Sequence, residues 1–385
     1  MKKIVIIGTG IAGYTVAREF RRRDTETELL LISRDDGHSY SKPMLSNALT
    51  KNKTADELVM GNPEKMATDL KAEIWNNTQV INIDAQNQRL DVERNGQIET
   101  VNYDRLVLAS GAYAINALLE GDAVDRVLSV NDLEDYRVFR QQLEKGKRIV
   151  IIGAGMIGCE FANDLAAVDA QVSIVNLSQH ALSLMMPEEA AKLLQEKLSA
   201  LGVNWHFSNS VTHVEKEREA LTVTLKDGTK INCDLVLSAI GLRPNLFLAE
   251  LAGLETERGI KVNRFLQTSD KDIYALGDCA QIEDLTLPFI MPLMTSARAL
   301  AATLAGEETA VRYPAMPVAL KTPCHPTVVC PAPRKIEGEW EVEINDQGLC
   351  ALFKDNKGTL HGFTLMGERT SEKTALAKQI PDWLA

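Results

Sequence analysis

The sequence predicts an α/β protein with two Rossmann-like, doubly wound units and a small C-terminal α+β domain. First, a glycine-rich turn follows an apolar strand twice, in "VIIGTGIAGYTVAREF" at 5–20 and "VIIGAGMIGCEFANDL" at 150–165. Second, each copy is followed by alternating strands and a return to an apolar strand. Third, proline-rich and then short-strand sequence begins after about residue 317. A length of 385 residues accommodates about two or three domains.

The first copy predicts a strand, a turn and a helix. "KKIVIIG" at 2–8 is apolar enough for a strand buried on both faces, and "IAGYTVAREFRRRD" has helical periodicity. Gly8 permits the tight turn, Gly10 lets a pyrophosphate approach the backbone, and Gly13 allows close packing of helix on strand. "TELLLIS" is the next strand. The stretch from 75 to 110 then predicts a β-meander turning at Asn95-Gly96 and a parallel strand at 106–108.

The second copy repeats this order. "KRIVIIG" is the strand, Gly153, Gly155 and Gly158 form the turn, a helix begins near Met156, and "QVSIVN" is the second strand. "LTVTLKDGTKINCDLVLSAIG" then predicts a second meander with its own turn at Asp227-Gly228. After 317, short strands with turns and a last helix predict the α+β domain.

Composition narrows the class of protein. No apolar run approaches the roughly 20 residues that cross a bilayer, and the strand from Lys2 leaves no room for a signal peptide, so we expect a cytoplasmic protein. The net charge of −11 disfavours general affinity for nucleic acid. The six cysteines form no CxxC pair and no metal-ligand spacing with histidines, which predicts reduced structural thiols and no metal site.

Two such turns predict two dinucleotides. Asp35 and Asp36 follow the first unit's second strand, where an acidic residue accepts a ribose hydroxyl. Asn176 stands at the corresponding place in the second unit, with no arginine or lysine nearby in sequence for a 2′-phosphate, which favours NADH over NADPH. One dinucleotide can stay bound while the other visits as hydride donor, and flavin with nicotinamide is the natural pair.

These pieces, in this order, resemble the flavoprotein pyridine nucleotide-disulfide oxidoreductases, in the branch without a redox disulfide that reduces rubredoxins and oxygenase ferredoxins. Besides the turns, the matching pieces are "SYSKPMLS" at 39–46, "LVLASGA" at 106–112, "LVLSAIGLRPN" at 235–245, "IYALGDCA" at 273–280 and "PLMTSARALA" at 292–301. The resemblance implies a glutathione-reductase-like arrangement. In it a split FAD-binding domain (1–113 and 243–316) carries an inserted NADH-binding domain (114–242), and 317–385 form the C-terminal domain.

The resemblance also implies the site residues. FAD contacts are expected from Gly8, Gly10, Ala12, Gly13, Asp35, Lys42, Val80, Ala109, Asp278, Thr295 and Lys321. NADH contacts are expected from Gly153, Gly155, Met156, Ile157, Gly158, Glu160, Asn176 and Gly241. The helix from about Thr295 is expected to aim its N-terminal amides at the flavin pyrimidine. Lys42 is expected beside flavin N5 and Glu160 near the nicotinamide. Our hypothesis is that they form an ion pair that positions the nicotinamide and tunes the flavin, rather than acting as acid or base.

One departure from the family pattern concerns electron exit. The first helix and residues 40–50 contain no cysteine pair, so electrons must leave the flavin directly. The short tail resembles the reductases whose acceptor is rubredoxin, a small acidic carrier that serves alkane hydroxylation. A patch including Lys42, Arg298, Lys321 and Arg334 is the expected docking surface.

Other functions stay open. They are an NADH:ferredoxin reductase of an oxygenase system, a nitrite-reductase or oxidase component, and a non-catalytic flavin redox sensor. The oligomeric state is not specified by the sequence, and a monomer or weak dimer is expected.

Overall fold

A computed structural model describes residues 2–143 and 147–384 of the chain. As far as residue 114 the elements are β1 (Lys3–Ile7), α1 (Ile11–Arg21), β2 (Glu28–Ile32), β3 (Ser39–Tyr40), β4 (Val59–Gly61), α2 (Pro63–Leu70), β5 (Glu73–Trp75), β6 (Thr78–Asp84), β7 (Arg89–Arg94), β8 (Gln97–Asn102), β9 (Arg105–Leu108) and β10 (Ala112–Ala114).

From β12 onward the middle of the chain follows a similar order, without a counterpart of β3 and β4. The elements of this part are β11 (Val127–Leu128), α3 (Leu133–Gln142), β12 (Arg148–Ile152), α4 (Met156–Ala166), β13 (Gln171–Val175), α5 (Glu188–Ser199), β14 (Asn204–His206), β15 (Val211–Glu217), β16 (Ala220–Leu225), β17 (Lys230–Cys233), β18 (Leu235–Ser238) and β19 (Leu242–Pro244).

The last part contains two helices before a final sheet and one after it. Its elements are α6 (Phe247–Leu251), β20 (Ile260–Val262), β21 (Ile273–Ala275), β22 (Ala280–Ile282), α7 (Ile290–Leu304), β23 (Val318–Leu320), β24 (Thr327–Cys330), β25 (Gly338–Asn345), β26 (Gly348–Asp355), β27 (Leu360–Gly367) and α8 (Lys373–Ala377).

Two five-stranded parallel sheets share the same order in four strands and differ in where the fifth, outer strand (β21 or β11) comes from in the chain. The first has the order β21-β9-β1-β2-β5 and the second β11-β18-β12-β13-β14. In each, the strand before the glycine turn lies at the centre, and all neighbouring strands pair in parallel. The meanders β6-β7-β8 and β15-β16-β17 follow in the places that the sequence predicts. At the first meander's turn both Asn95 and Gly96 have positive φ, as a type I′ hairpin requires. The predicted α/β class with two Rossmann-like units is confirmed.

The chain passes from the first unit into the second and back along one short ladder. β10 leaves the first unit and β19 returns to it, and the two strands pair antiparallel. This ladder coincides with the predicted crossover points near 113 and 243, although the complete domain boundaries stay a prediction.

The C-terminal part is a five-stranded antiparallel sheet in the order β23-β24-β27-β26-β25, with the short helix α8. Its inner residues Leu320, Val329 and Met366 share one apolar core with the second parallel sheet and with Leu45 and Leu49 of the first unit. The second parallel sheet, the segment after β3 and the C-terminal sheet therefore converge on helix α4.

Candidate active site

The first glycine turn is shaped by three different surroundings. Gly8 has φ +109°, and a Cβ there would overlap the carbonyl of Ala109, which follows the neighbouring strand β9. A Cβ on Gly13 would overlap the carbonyl of Gly8. A Cβ on Gly10 would meet nothing within 4 Å. Gly8 and Gly13 are therefore required by the fold, whereas the space beside Gly10 is open for a ligand.

The second turn has the same pattern. Gly153 has φ +104° and faces the carbonyl oxygen of Ala239, 2.7 Å from an added Cβ, while a Cβ on Gly158 would overlap the Gly153 carbonyl. Gly155 again faces open space. Both open glycines are the N-caps of their helices, α1 and α4, and neither helix has a side-chain cap or an acidic residue in its first turn. These uncapped helix N-termini fit a pyrophosphate at each turn.

The polar residues after the second strands differ between the units. Asp35 accepts hydrogen bonds through Oδ1 from the Ser33 hydroxyl and from the Gly37 amide at 3.0 Å. Its Oδ2 has no partner among the described residues, so it can accept a ribose hydroxyl. Asn176 is used differently, because its Oδ1 accepts from the Ala154 amide at 3.0 Å and its Nδ2 donates to carbonyls of residues 178 and 180. Asn176 thus braces the second turn.

Lys42 and Asp278 lie in one half-buried cluster at the end of the first sheet. Lys42 Nζ donates to Asn131 Oδ1 at 3.1 Å, and Asn131 Nδ2 donates to the Ala112 carbonyl at 2.9 Å. Burial lowers the pKa of Lys42, and the nearby Asp278 carboxylate opposes that shift. Burial likewise raises the pKa of Asp278, with Lys42 opposing it. An ammonium and a carboxylate held at this depth, with no hydrogen bond between them among the described residues, fit the polar edge and ribityl chain of a flavin.

Glu160 is fully buried and bonded on both oxygens. Lys321 Nζ lies 2.5 Å from Oε2, the Ser46 hydroxyl donates to Oε2 at 2.6 Å, and the Lys321 amide donates to Oε1 at 3.0 Å. The predicted ion pair between Lys42 and Glu160 is therefore wrong in this structure. The cation that neutralises Glu160 comes from the C-terminal sheet, and Lys42 faces Asp278 and Asn131 instead.

Two further polar residues of helix α4 were missed by the sequence reasoning. Asp164 accepts hydrogen bonds from the amides of Leu49 at 2.9 Å and Thr50 at 2.8 Å, and from the Thr50 hydroxyl. Asn163 Oδ1 accepts from the Cys324 amide at 3.1 Å. With Glu160 they form a buried polar stripe at spacing i, i+3, i+4 in an otherwise apolar helix. That spacing in the sequence could have indicated these residues, because polar side chains on one face of an apolar helix are buried together and need hydrogen-bond partners.

The helix predicted from about Thr295 begins five residues earlier. α7 spans Ile290–Leu304, so Thr295 lies in its second turn and the prediction of its amide as part of the helix N-terminus is wrong. The free amides belong to Ile290 and Met291, since Pro292 has none. The sequence misled because the proline and the two apolar residues before it resemble a loop, whereas proline is well accommodated in a helix's first turn.

The remaining expected contacts lie around the two turns. Ala12 is in the first turn of α1, and Met156 and Ile157 are in that of α4. Val80 lies on β6, which is an edge strand of its meander and so has one row of backbone groups outside the ladder. Gly241 precedes the crossover strand β19 with φ +123°.

The cysteines of this chain are reduced and mostly buried. All six cysteines are free, and burial raises their pKa values, to about 12 for Cys159, Cys233 and Cys330.

Arg298 and Arg334 are exposed, as a docking surface needs. Lys42 and Lys321 are partly exposed and each is bonded to an internal partner, which argues against their part in that surface, and the docking surface itself stays a prediction. Among the described residues no helix has the length and apolarity to cross a membrane.

Comparison with known proteins agrees with this geometry. Residues 2–302 match the family described as pyridine nucleotide-disulphide oxidoreductase, and 310–380 match a rubredoxin-binding C-terminal domain. The rubredoxin-NAD(+) reductase of Alcanivorax borkumensis is 47% identical over 382 residues, which is 99% of each chain. That of Acinetobacter baylyi is 46% identical over 387 residues, covering 99% of this chain and 98% of the relative.

Among solved structures, putidaredoxin reductase in its covalent complex with putidaredoxin superimposes with a TM-score of 0.88. It is 25% identical, and the match covers 99% of this chain and 94% of that one. Family profile, full-length relatives and fold agree. The chain belongs to the pyridine nucleotide-disulphide oxidoreductase family, in the group that contains these rubredoxin-NAD(+) reductases.

Proposed function

We propose that this protein is an NADH-dependent FAD reductase that passes single electrons to rubredoxin. The observation that carries the proposal is a direct contact between the second dinucleotide-binding unit and the C-terminal part of the chain. Helix α4 begins at the second glycine turn, and its Glu160 is bonded to Lys321, which directly follows strand β23 of the C-terminal sheet. Residues 310–380, which include that lysine, match the rubredoxin-binding domain.

The residues at the two glycine turns and at the end of the first sheet would each bind a different part of the two dinucleotides. The open faces at Gly10 and Gly155 would receive the pyrophosphates of FAD and NADH, respectively, with the uncapped N-termini of α1 and α4 supplying amide donors. Asp35 and Asp278 would accept hydroxyls of the FAD ribose and ribityl chain. Lys42 would place a positive charge at the flavin, and the crossover ladder would bring the two dinucleotides to one place. Hydride transfer depends mainly on that orientation.

FAD supplies the chemistry that no side chain has, since it accepts two electrons as a hydride and releases them one at a time. The chain's own thiols are unsuited to carry the electrons onward. Each of the six has a pKa raised by burial, which suppresses the reactive thiolate. Electrons therefore pass from the flavin directly to the external carrier.

The test is anaerobic stopped-flow mixing in two stages. NADH should bleach the flavin absorbance of the purified protein, and the NADH-reduced protein should then reduce two equivalents of rubredoxin no more slowly than it consumes NADH in steady state. A colourless protein that cannot be reconstituted with FAD would contradict the proposal at its first stage. Slow transfer to rubredoxin beside fast transfer to another carrier would contradict the acceptor alone.

A ferredoxin is the second candidate acceptor. One observation favours it, namely the superposition over 99% of this chain on putidaredoxin reductase in its complex with putidaredoxin. Steady-state rates with rubredoxin and with a [2Fe-2S] ferredoxin, measured at equal ionic strength, separate the two. A flavin that NADH fails to reduce would favour the non-catalytic redox sensor.

The biological setting is also a proposal. We infer that the electrons support alkane hydroxylation through rubredoxin, and that the protein works in the cytoplasm, where six free cysteines stay reduced. Deletion of the gene should slow growth on alkanes and leave growth on the corresponding fatty acids unchanged. Equal growth on both would contradict the first inference, and recovery of the protein outside the cytoplasmic fraction would contradict the second.

A further inference from the structure

We propose that Asn131 is a positioning residue that holds the Lys42 ammonium at the flavin while leaving its charge uncancelled. The inference rests on the proposed function, because it assumes that FAD binds beside Lys42. Asn131 belongs to neither glycine turn and to none of the motifs that identify the family. Its role follows from three hydrogen bonds and from the charges around them.

The amide of Asn131 is bonded in one orientation. Its Nδ2 donates to the Ala112 carbonyl on the crossover strand β10, at 2.9 Å. Its Oδ1 therefore faces the other way and accepts from Lys42 Nζ at 3.1 Å. A flipped amide would direct its donor group at an ammonium and its oxygen at a carbonyl, so both contacts select this orientation. Asn131 thereby connects Lys42 to the ladder that joins the two dinucleotide units.

The backbone of Asn131 is fixed by the start of helix α3. Asp132 is the N-cap, its side chain accepts from the Asp135 amide at 2.9 Å, and Asp135 accepts in return from the Asp132 amide at 3.3 Å. The same Asp135 carboxylate also accepts from the Asn131 amide at 2.9 Å. A capping box of this kind holds the residue just before the helix rigidly. Asn131 is thus held on both its backbone and its side chain.

The charges around Lys42 show why the acceptor is neutral. The carboxylates of Asp278, Asp132 and Asp135 and the guanidinium of Arg34 all act on it, while burial disfavours its charged form. Direct pairing with a fourth carboxylate at position 131 would cancel the field of the ammonium at the flavin. An asparagine oxygen fixes the position of the ammonium without that cancellation.

The test is a double-mutant cycle with Asn131→Asp, Asn131→Leu and Lys42→Met. The first readout is the midpoint potential of bound flavin, from reductive titration with dithionite, which requires no NADH. Asn131→Asp should lower the potential, because the new carboxylate would pair with the Lys42 ammonium and cancel its field at the flavin. Asn131→Leu should slow flavin reduction by NADH at least tenfold, because Lys42 loses its acceptor. In the Lys42→Met background the shift in potential should be less than half as large, and the rate of flavin reduction should change less than twofold.

A second readout uses the apoprotein. Acylation of the Lys42 amine, followed by mass spectrometry, should be slower in Asn131→Asp, because a carboxylate partner raises the fraction of ammonium. Asn356→Asp makes the same charge change on an exposed hairpin loop and should leave potential and acylation unchanged. Should Asn131→Leu fail to fold, the nearly isosteric Asn131→Asp carries the test alone.

Two results would overturn the inference. One is an effect of Asn131→Asp on the potential that persists at full size in the Lys42→Met background, since Asn131 would then act independently of the lysine. The other is an unchanged potential and an unchanged acylation rate in Asn131→Asp. Failure of the proposed function looks different, because wild-type protein would then bind no FAD or would bind FAD that NADH does not reduce.

Discussion

Gly8 and Gly10 stand two residues apart in one turn, yet they meet different surroundings. A side chain at Gly8 would overlap the Ala109 carbonyl and would need φ +109°, which L-residues rarely adopt. Gly10 has an ordinary extended backbone and empty space where its Cβ would point. The fold requires glycine at the first position but not at the second, where we propose that the open space receives a pyrophosphate.

We therefore expect Gly10→Ala to leave the apoprotein's melting temperature within about 2 °C of wild type, because surface substitutions without a clash change stability little. FAD affinity should fall at least tenfold, measured by fluorescence titration of the apoprotein. Gly155→Ala is the matched control, and it should weaken NADH binding while FAD stays bound. Equal FAD affinity in wild type and Gly10→Ala would place the pyrophosphate elsewhere.

Glu160 illustrates what a buried carboxylate requires. Lys321→Met should lower the free energy of unfolding by about 3 kcal/mol, since it leaves a buried charge without its cation. Glu160→Gln combined with Lys321→Met should recover most of that loss, because no charge then remains at the contact. Urea unfolding of the apoproteins followed by circular dichroism measures both. A double variant no more stable than Lys321→Met would show that the ion pair is not the cause.

At the scale of elements, helix α4 connects three parts of the chain. Its apolar residues pack on the second sheet, and Asn163 and Asp164 turn instead to the backbones of the C-terminal part and the first unit. Each buried polar group is bonded to a main-chain amide, so the helix fixes both segments by hydrogen bonds that apolar side chains could not make. The segment that carries Lys42 and Ser46 is held in this way.

Asp164→Ala should loosen that segment more than the rest of the protein. The three donors on Leu49 and Thr50 lose their acceptor, which costs about 2–3 kcal/mol where the groups stay buried. Hydrogen exchange of the Leu49 and Thr50 amides should accelerate at least tenfold, and the amides of β1 should keep their protection. Asp69→Ala, an exposed carboxylate on α2, is the control. Uniform acceleration across the chain would point to global destabilisation instead.

The sequence predicted elements well where local patterns decide them, as in both βαβ units and both meanders. It failed where the decisive contact lies far along the chain. Nothing near Glu160 in sequence identifies Lys321 as its partner, because a strand of the last sheet must first pack against α4. Asn131 was missed for the same reason, since its partners Lys42 and Ala112 meet only in the folded protein. The start of α7 was missed because proline fits both a loop and a first helical turn.

At the scale of the whole molecule, we expect electron transfer from NADH to the carrier to proceed without the cysteine thiols. Native protein at pH 8 should react with iodoacetamide far more slowly at Cys159, Cys233 and Cys330 than unfolded protein does, because their pKa of about 12 leaves little thiolate. NADH-dependent electron transfer should survive the treatment unchanged. Mass spectrometry of the labelled peptides checks the first expectation. Loss of activity in step with labelling of one cysteine would contradict a thiol-free relay.

Charge is unevenly spread over the C-terminal sheet. From 309 to 336 the chain has no acidic residue, while the edge strand β25 presents exposed Glu339, Glu341 and Glu343. The strand β23, within the acid-free stretch, forms the opposite edge of the sheet. We therefore expect an acidic carrier to be attracted to the β23 side and repelled from the β25 side, even though the protein carries a net charge of −11.

Rubredoxin reduction should accordingly slow as salt is raised from 20 to about 200 mM, where screening shortens the range of these charges. Arg334→Glu should lower the second-order rate constant about tenfold at low salt and much less at high salt. Lys226→Glu, on an exposed hairpin of the second meander, makes the same charge change as a control. Rates independent of both salt and Arg334 would argue against electrostatic steering.

The apolar core shared by the second sheet, the segment after β3 and the C-terminal sheet limits how carrier preference can be re-engineered. A chimaera that received only residues 317–385 from a ferredoxin-using relative would pack different side chains against α4. It would also lose the C-terminal hydrogen-bond partners of Glu160 and Asn163, which are Lys321 and the Cys324 amide. Transplanting the tail together with the solvent-hidden face of α4 and residues 42–50 keeps the matched surfaces intact. We therefore expect acceptor preference to be transferred only when all three segments are exchanged together.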